Sequence, residues 1–129
     1  MTFHSCSDVP VPYGRIVRRQ GRGKPELTDY HFSKPLLAAT LQSHCGGVSG
    51  RFDYLDQLVE HLQVDVWGAC GSRYNQSFSC PGWAQECPGL TEYKFYLSFE
   101  NSLCSEYLTE KLWWNAIGRV RYILSFKSH

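Results

Sequence analysis

A small set of side chains in this sequence has the types and spacing to grip a phosphorylated ligand. Arg51 follows an apolar run at 36–41 and a glycine-bearing stretch at 43–50. Glu100 and Asn101 follow a second apolar run at 94–99, and Glu110 and Lys111 come a short step later. Arginine offers a planar fork of donors and lysine a compact point charge, a division of labour common at phosphates. In open α/β sheets, ligands sit beyond the carboxyl ends of the strands. With parallel strands before Arg51 and Glu100, both groups reach the same sheet edge. Arg51 and Lys111 can then share one diphosphate.

Taken singly, each of these residues has an ordinary explanation. Glu110 and Lys111 read as a solvated pair, and Asn101-Ser102 as a turn. Trp113 and Trp114 read as core or interface rather than as a sugar platform. Only the joint arrangement points to a ligand. Other motifs carry less. His44 beside Cys45 reads as a loop pair or disulfide partner, since adjacent residues seldom orient as nucleophile and base. Cys80 and Cys87 lack the close C-x2-C pairing of structural zinc sites, and no histidine stands at zinc-finger spacing. Gly21-Arg22-Gly23-Lys24 lacks the P-loop spacing. Asn75-Gln76-Ser77 fits the N-glycosylation acceptor pattern in a loop-like setting.

The elements that must position these groups follow from periodicity. The run at 36–41 predicts a buried strand. Phe52, Leu55, Leu58, Val59 and Leu62 recur at helical spacing, which predicts an amphipathic helix over 51–62. Short strands are predicted at 64–67 and 94–99, with a cysteine- and proline-bearing loop over 68–90 between them. In the last strand Phe95, Leu97 and Phe99 share one face and Tyr96 and Ser98 the other. Ser105 is the expected N-cap of a final helix, with Glu106 in its first turn and Leu108, Leu112 and Ala116 as its apolar stripe. A helix start there would favour an anion. The order predicts an α/β fold with a mainly parallel sheet.

Length and composition set the bounds. The 129 residues suit one domain, and 43% hydrophobic and 15% aromatic content suffice for a packed core. A net charge of +1 gives no overall field toward nucleic acid or membrane. No apolar run approaches the ~20 residues that span a bilayer, and the N-terminus lacks a signal-peptide core. Arg15, Arg18, Arg19, Arg22 and Lys24 lie among glycines and prolines and read as a solvated linker, without the interleaved aromatics of a single-strand binder. The six cysteines point to an oxidising compartment, but their spacing does not choose a pairing.

The stretch 93–116 resembles the donor-binding signature of the α-1,3/1,4-fucosyltransferases, glycosyltransferase family 10. That signature reads Y-K-F-x-L-x-F-E-N-S, then Y-x-T-E-K-L, then N-A. Ser7 to Gly14 resembles the family's D-S-D-x-x-x-P-Y-G element. Residues 34–45 with Ser49-Gly50-Arg51 resemble its strand, turn and arginine, and 64–71 resembles V-D-V-Y-G-K-C-G. Together these cover about residues 1–117. The resemblance implies a partial Rossmann-like, donor-binding half of a GT-B glycosyltransferase: a linker at 1–33, a GDP-fucose-binding α/β domain at 34–117 and a divergent tail at 118–129. It implies inverting transfer of L-fucose from GDP-fucose to a GlcNAc-containing glycan on glycoprotein or glycolipid. Arg51 and Lys111 would contact the phosphates, Glu110 and Asn101 would hold ribose or fucose hydroxyls, and Tyr107 would line the donor pocket. Glu100 belongs to the same motif. No metal cofactor is required in that scheme, in keeping with the lack of an Asp-x-Asp pair, and any use of manganese stays open. The general base belongs to the acceptor-binding half. The family setting is the lumenal face of the Golgi membrane, held by a single N-terminal type II anchor.

The sequence departs from the pattern in places. Thr2-Phe3-His4-Ser5-Cys6-Ser7-Asp8 replaces T-Y-R-x-D-S-D, and His44 replaces the turn asparagine. After Ile117 the chain runs Gly118-Arg119-Val120-Arg121-Tyr122 where the family has a V-P-V-V strand. The acceptor half, general base, stem and anchor are expected to be missing, with 118–129 the product of a truncated gene model. Apolar faces are then expected to be exposed, and the chain to be marginally stable and inactive alone. A non-catalytic GDP-sugar- or partner-binding domain is the alternative reading.

Overall fold

Four short parallel strands form the sheet. In the computed structural model, which describes residues 2–18, 20–21, 33–80, 87–117 and 122–125, β1 (Leu36–Leu41), β2 (Val64–Trp67), β3 (Tyr93–Ser98) and β4 (Tyr122–Ser125) lie in the order β2-β1-β3-β4. All three pairings are parallel. Ala38 stands opposite Val64 on one side and Phe95 on the other, and Phe95 stands opposite Tyr122. Helix α1 (Arg51–His61) joins β1 to β2. Short 3-10 turns occupy Ala69–Tyr74 and Pro88–Glu92, and a helical segment, Lys111–Ala116, lies between β3 and β4.

The alternation of side chains along each strand builds two apolar layers. Phe52 and Leu55 of α1 pack on Ala38, Val64, Val66, Leu97 and Phe99 on one face. Leu55 is 1% exposed, and burying a side chain of that size contributes about 1.5–3 kcal/mol. Ala39, Leu41 and Tyr96 face the other way, against Leu90, Cys87 and Ala116, and Tyr93 joins that cluster from the start of β3. The helical connections after β1 and after β3 therefore cover opposite faces of the sheet. Their paths diverge between β1 and β3, which makes a crevice at the carboxyl ends of those strands. In doubly wound sheets that crevice is where ligands bind. The α/β class with a parallel sheet agrees with expectation, and a four-stranded sheet of this order fits a Rossmann-like fold.

Three differences from the sequence reading are physical. The region 68–90 is not simply a loop. It holds the first 3-10 turn and the start of the second, and is stapled by Cys45–Cys70 and Cys80–Cys87. The residues after Ile117 supply β4, so the sheet does not stop where the motif resemblance does. The expected helix capped at Ser105 does not form, because residues 105–106 make a turn with Glu106 at φ 61 and the helical segment begins only at Lys111. Its winding is loose, with Ile117 N–H donating to Leu112 O at 3.0 Å, an i→i+5 bond. Ile117 and Leu124 are exposed, at 54% and 53%. Arg15 and Arg18 are exposed, whereas Arg19, Arg22, Gly23, Lys24, Pro81 and most of the 118–129 tail lie outside the described residues. Among the described residues no helix is long and apolar enough to cross a membrane.

Candidate functional site

Glu100 is the hub of the crevice. It follows β3 directly, is 4% exposed, and turns its carboxylate toward the start of the last helical segment. Thr109 N–H donates to Glu100 Oε1 at 2.7 Å, and the Thr109 hydroxyl lies 2.9 Å from both carboxylate oxygens. Thr109 in turn accepts the first helical hydrogen bonds at its carbonyl, from Leu112 at 3.1 Å and Trp113 at 3.2 Å. Lys111 is thereby delivered to the same carboxylate, with Nζ 3.7 Å from Glu100 Oε2. Its ammonium also donates to Glu110 Oε1 at 3.3 Å. An ammonium has three donors, so this lysine keeps capacity for a further acceptor.

Arg51 approaches from the other wall. It opens α1 just after Gly50, which takes the left-handed φ of 68°. Its side chain folds inward, is 3% exposed, and stacks 5.0 Å from the Phe52 ring. Its terminal nitrogens donate to the carbonyls of His44, Gly46 and Phe99, the last two at 3.3 and 3.4 Å. Burial lowers the Arg51 pKa from its ordinary value, while the charge of Glu100 acts in the opposite sense. The guanidinium thus clamps the loop after β1 to the end of β3. Ser49 adds to the clamp by donating to Glu100 O at 2.9 Å. Gly47 lets the walls meet: it sits at φ 128°, and a Cβ there would stand 2.9 Å from Asn101 O.

A cleft of about 980 Å3 opens beside this hub. Glu100, Tyr107 and Trp113 line one wall, and Phe3, Tyr13 and Gly14 of the N-terminal segment line the other. Gly14 is required by proximity, because a Cβ would meet the Trp113 ring at 2.5 Å. The Phe3 and Tyr107 rings are tilted with centroids 5.0 Å apart. Partial burial, then the nearby Glu100 carboxylate, push the Tyr107 hydroxyl pKa up. Glu106, on the rim, accepts from Ser5 N–H at 2.7 Å and Ser5 Oγ at 2.8 Å. The Ser5 amide, then its hydroxyl, hold that carboxyl below the usual range.

Glu100 and Tyr107 line the cleft, whereas Arg51, Asn101, Glu110 and Lys111 stand around it rather than in its lining. The structure brings Lys111 to the Glu100 carboxylate, whereas Arg51 donates to backbone carbonyls on both sides of the crevice and feels Glu100 only through its charge. It does not leave Arg51 bare at the surface as a phosphate fork would be. Asn101 is half-buried and its Oδ1 has no hydrogen-bond partner. Asn75 is exposed at φ 56° after the first 3-10 turn. Trp113 serves as cleft wall, and Trp114 is 44% exposed. Thr109 and Ser49 were missed by sequence reasoning. Thr109 could have been found by asking which donor answers a carboxylate placed straight after a buried strand. Among the described residues no group of histidine, cysteine and acidic side chains could hold a metal ion.

The comparisons with known proteins bear on this site. The family model for glycosyltransferase family 10 (fucosyltransferase), C-terminal region, matches residues 31–123. The chain belongs to that family. The match contains every element of the sheet up to the middle of β4, and so runs past Ile117, where the motif resemblance was expected to end. The chain is 38% identical over 119 residues to an alpha-(1,3)-fucosyltransferase of Caenorhabditis elegans, covering 88% of this chain and 30% of that protein. It is 34% identical over 123 residues to a glycoprotein 3-alpha-L-fucosyltransferase of Drosophila melanogaster, covering 92% and 24%. A human 4-galactosyl-N-acetylglucosaminide 3-alpha-L-fucosyltransferase is 40% identical over 118 residues, covering 91% and 30%. This fucosyltransferase-family chain thus spans between 24% and 30% of the length of these relatives.

Proposed function

We propose that this chain is the donor-binding part of a GT-B α-1,3-fucosyltransferase and takes GDP-fucose in the crevice between β1 and β3. The observation that carries the reading is the Glu100–Thr109–Lys111 assembly, which fixes a lysine at the carboxyl edge of a parallel sheet. Lys111 turns its remaining donor capacity to the diphosphate. There it offsets the charge that grows on GDP as the bond to fucose breaks, which is the use of a pre-positioned cation in a transition state. Arg51 acts from behind the crevice: it holds the 44–47 loop in place and supplies positive potential, and reaches a phosphate only if it exchanges a carbonyl partner. Asn101 and Glu110 take sugar hydroxyls, and Tyr107 closes the pocket wall. The base that deprotonates the GlcNAc-containing acceptor comes from the acceptor-binding part of the enzyme, so this part binds donor without turning it over. The two disulfides suit an oxidising, lumenal setting such as the Golgi, and the exposed Asn75 is the candidate N-glycan acceptor.

Calorimetry with GDP-fucose tests the reading, with GDP-mannose as the competitor. The chain should prefer GDP-fucose, and Lys111→Ala should weaken binding by about ten- to a hundredfold, the worth of one hydrogen bond to a charged group. Equal affinity of wild type and Lys111→Ala, in chains shown to be folded, would remove the lysine from the site. Absence of binding by the folded wild type would remove the donor function itself.

A further inference from the structure

Two of the six cysteines are left once the disulfides are assigned. Cys45 pairs with Cys70 and Cys80 with Cys87, while Cys6 and Cys104 are free and exposed. Within one chain, they have only each other. They are also carried by two segments already bound together. Phe3 packs on Tyr107 at 5.0 Å between ring centroids. One step on, His4 Nδ1 lies 3.5 Å from Glu106, and Ser5 donates twice to the same carboxylate at 2.7 and 2.8 Å. As the first segment runs from 3 to 5, its partners run back from 107 to 106. Cys6 stands in the His4–Ser7 turn, closed by Ser7 N–H donating to His4 O at 3.2 Å, and Cys104 opens the turn whose Tyr107 N–H donates to Cys104 O at 3.2 Å, so the two thiols lie on two turns already joined through Ser5 and Glu106. Both segments are walls of the 980 Å3 cleft.

We propose that Cys6 and Cys104 form a third disulfide, which pins the N-terminal wall of the cleft to the 104–107 turn. The oxidant is a low-molecular-weight disulfide of the glutathione class. The Cys104 thiolate attacks one sulfur of it, forming a mixed disulfide and displacing one thiolate. The Cys6 thiolate then attacks Cys104 Sγ, forms the Cys6–Cys104 bond and displaces the second thiolate. The two thiol protons pass to the two departing thiolates, so two protein thiols are oxidised and one small disulfide is reduced. The bridge converts a wall held by rim hydrogen bonds into a covalent one. Its formation does not depend on which ligand the cleft takes.

The test is disulfide mapping of the whole chain. The protein is incubated with excess oxidised glutathione, capped with N-ethylmaleimide, digested without reduction and read by mass spectrometry. The expected result is a monomer whose Cys6 and Cys104 peptides are joined, with the Cys45–Cys70 and Cys80–Cys87 pairs intact and no maleimide taken up. Glu106→Ala removes the acceptor that holds Ser5 in place and should close the bridge several-fold more slowly. Three results would overturn the proposal: Cys6 and Cys104 still capped by maleimide or stalled as glutathione adducts, bridges found only between chains, or pairings scrambled among all six. Equal closure rates in Glu106→Ala and wild type would overturn the claim that the two walls are pre-aligned.

Discussion

Replacing Thr109 by valine removes one hydroxyl from a buried carboxylate and changes little else. Valine nearly matches threonine in volume, so no cavity opens. The Thr109 hydroxyl lies 2.9 Å from both oxygens of Glu100, but it has a single proton, so the carboxylate loses one hydrogen bond and not two; the hydroxyl oxygen also accepts the Lys111 N–H, at a longer 3.4 Å. The backbone N–H at 2.7 Å remains. Glu100 is 4% exposed, so water cannot replace the lost donor freely. One hydrogen bond to a charged acceptor contributes about 1.5–3 kcal/mol, and Thr109→Val should lose that much. Thr109→Ser, which keeps the donor, should lose less. Urea unfolding followed by tryptophan fluorescence reads the difference, since Trp113 donates to Leu108 O at 3.2 Å just beside the altered residue. With a slope of about 1–3 kcal/mol/M, the midpoint should fall by roughly 1 M. On the proposed donor-binding reading, GDP-fucose affinity should fall with it, because Lys111 is carried on the same turn. A Thr109→Val chain within about 0.5 kcal/mol of wild type, the range of an ordinary surface change, would refute the reasoning, because Glu100 would then not be anchored by this hydroxyl.

Further outcomes follow from other parts of the fold. Gly47→Ala should destabilise by about 1–3 kcal/mol, the usual cost of a side chain in a disfavoured backbone region, because of its φ of 128° and the 2.9 Å approach to Asn101 O; an unchanged thermal midpoint would contradict it. Replacing Cys45 and Cys70 together by alanine opens a loop with a sequence separation of 25. Chain entropy puts the loss near 3.5 kcal/mol, and a loss below about 1 kcal/mol by chemical unfolding would show that the bridge constrains little. Burial, reinforced by the hydrogen bond to Asp65, pushes Tyr93 up to about 12, above the ordinary tyrosine value of about 10. A raised folded-state pKa contributes stability that is whole below pH ~10 and is lost as pH rises through the folded value. Tyr93→Phe should therefore flatten the fall in stability between about pH 10 and 12; an equally steep fall in the variant would place the titration elsewhere.

The sheet and α1 could be read from the sequence because their signals are local. The apolar run 36–41, the period of Phe52, Leu55 and Leu58, and the alternation in 94–99 each carry their own evidence, and each became an element within a residue or so of its predicted ends. The last helical segment misled for the opposite reason. Ser105 has the right chemistry for an N-cap, but Glu100 at the end of β3 captures Thr109 and the chain spends 104–107 on a turn instead. A cap supplied by a strand end cannot be seen by a rule that looks only at neighbours. Arg51 shows the same limit. Its charge and place at the sheet edge were readable, but the three carbonyls that occupy it, on both sides of the crevice, were not. Disulfide partners depend likewise on the finished fold.

The clamp between the two walls also orders events in time. Arg51 reaches Phe99 O over a sequence separation of 48, and Ser49 reaches Glu100 O over 51. Contacts between residues so far apart in the chain form slowly, because a large loop must close before they return any energy. α1 can assemble early from its own neighbours, but the crevice exists only after β3 has docked beside β1. On the donor-binding reading proposed above, ligand affinity is therefore a late signal: during refolding, helical signal should recover first and the capacity to bind a nucleotide sugar last.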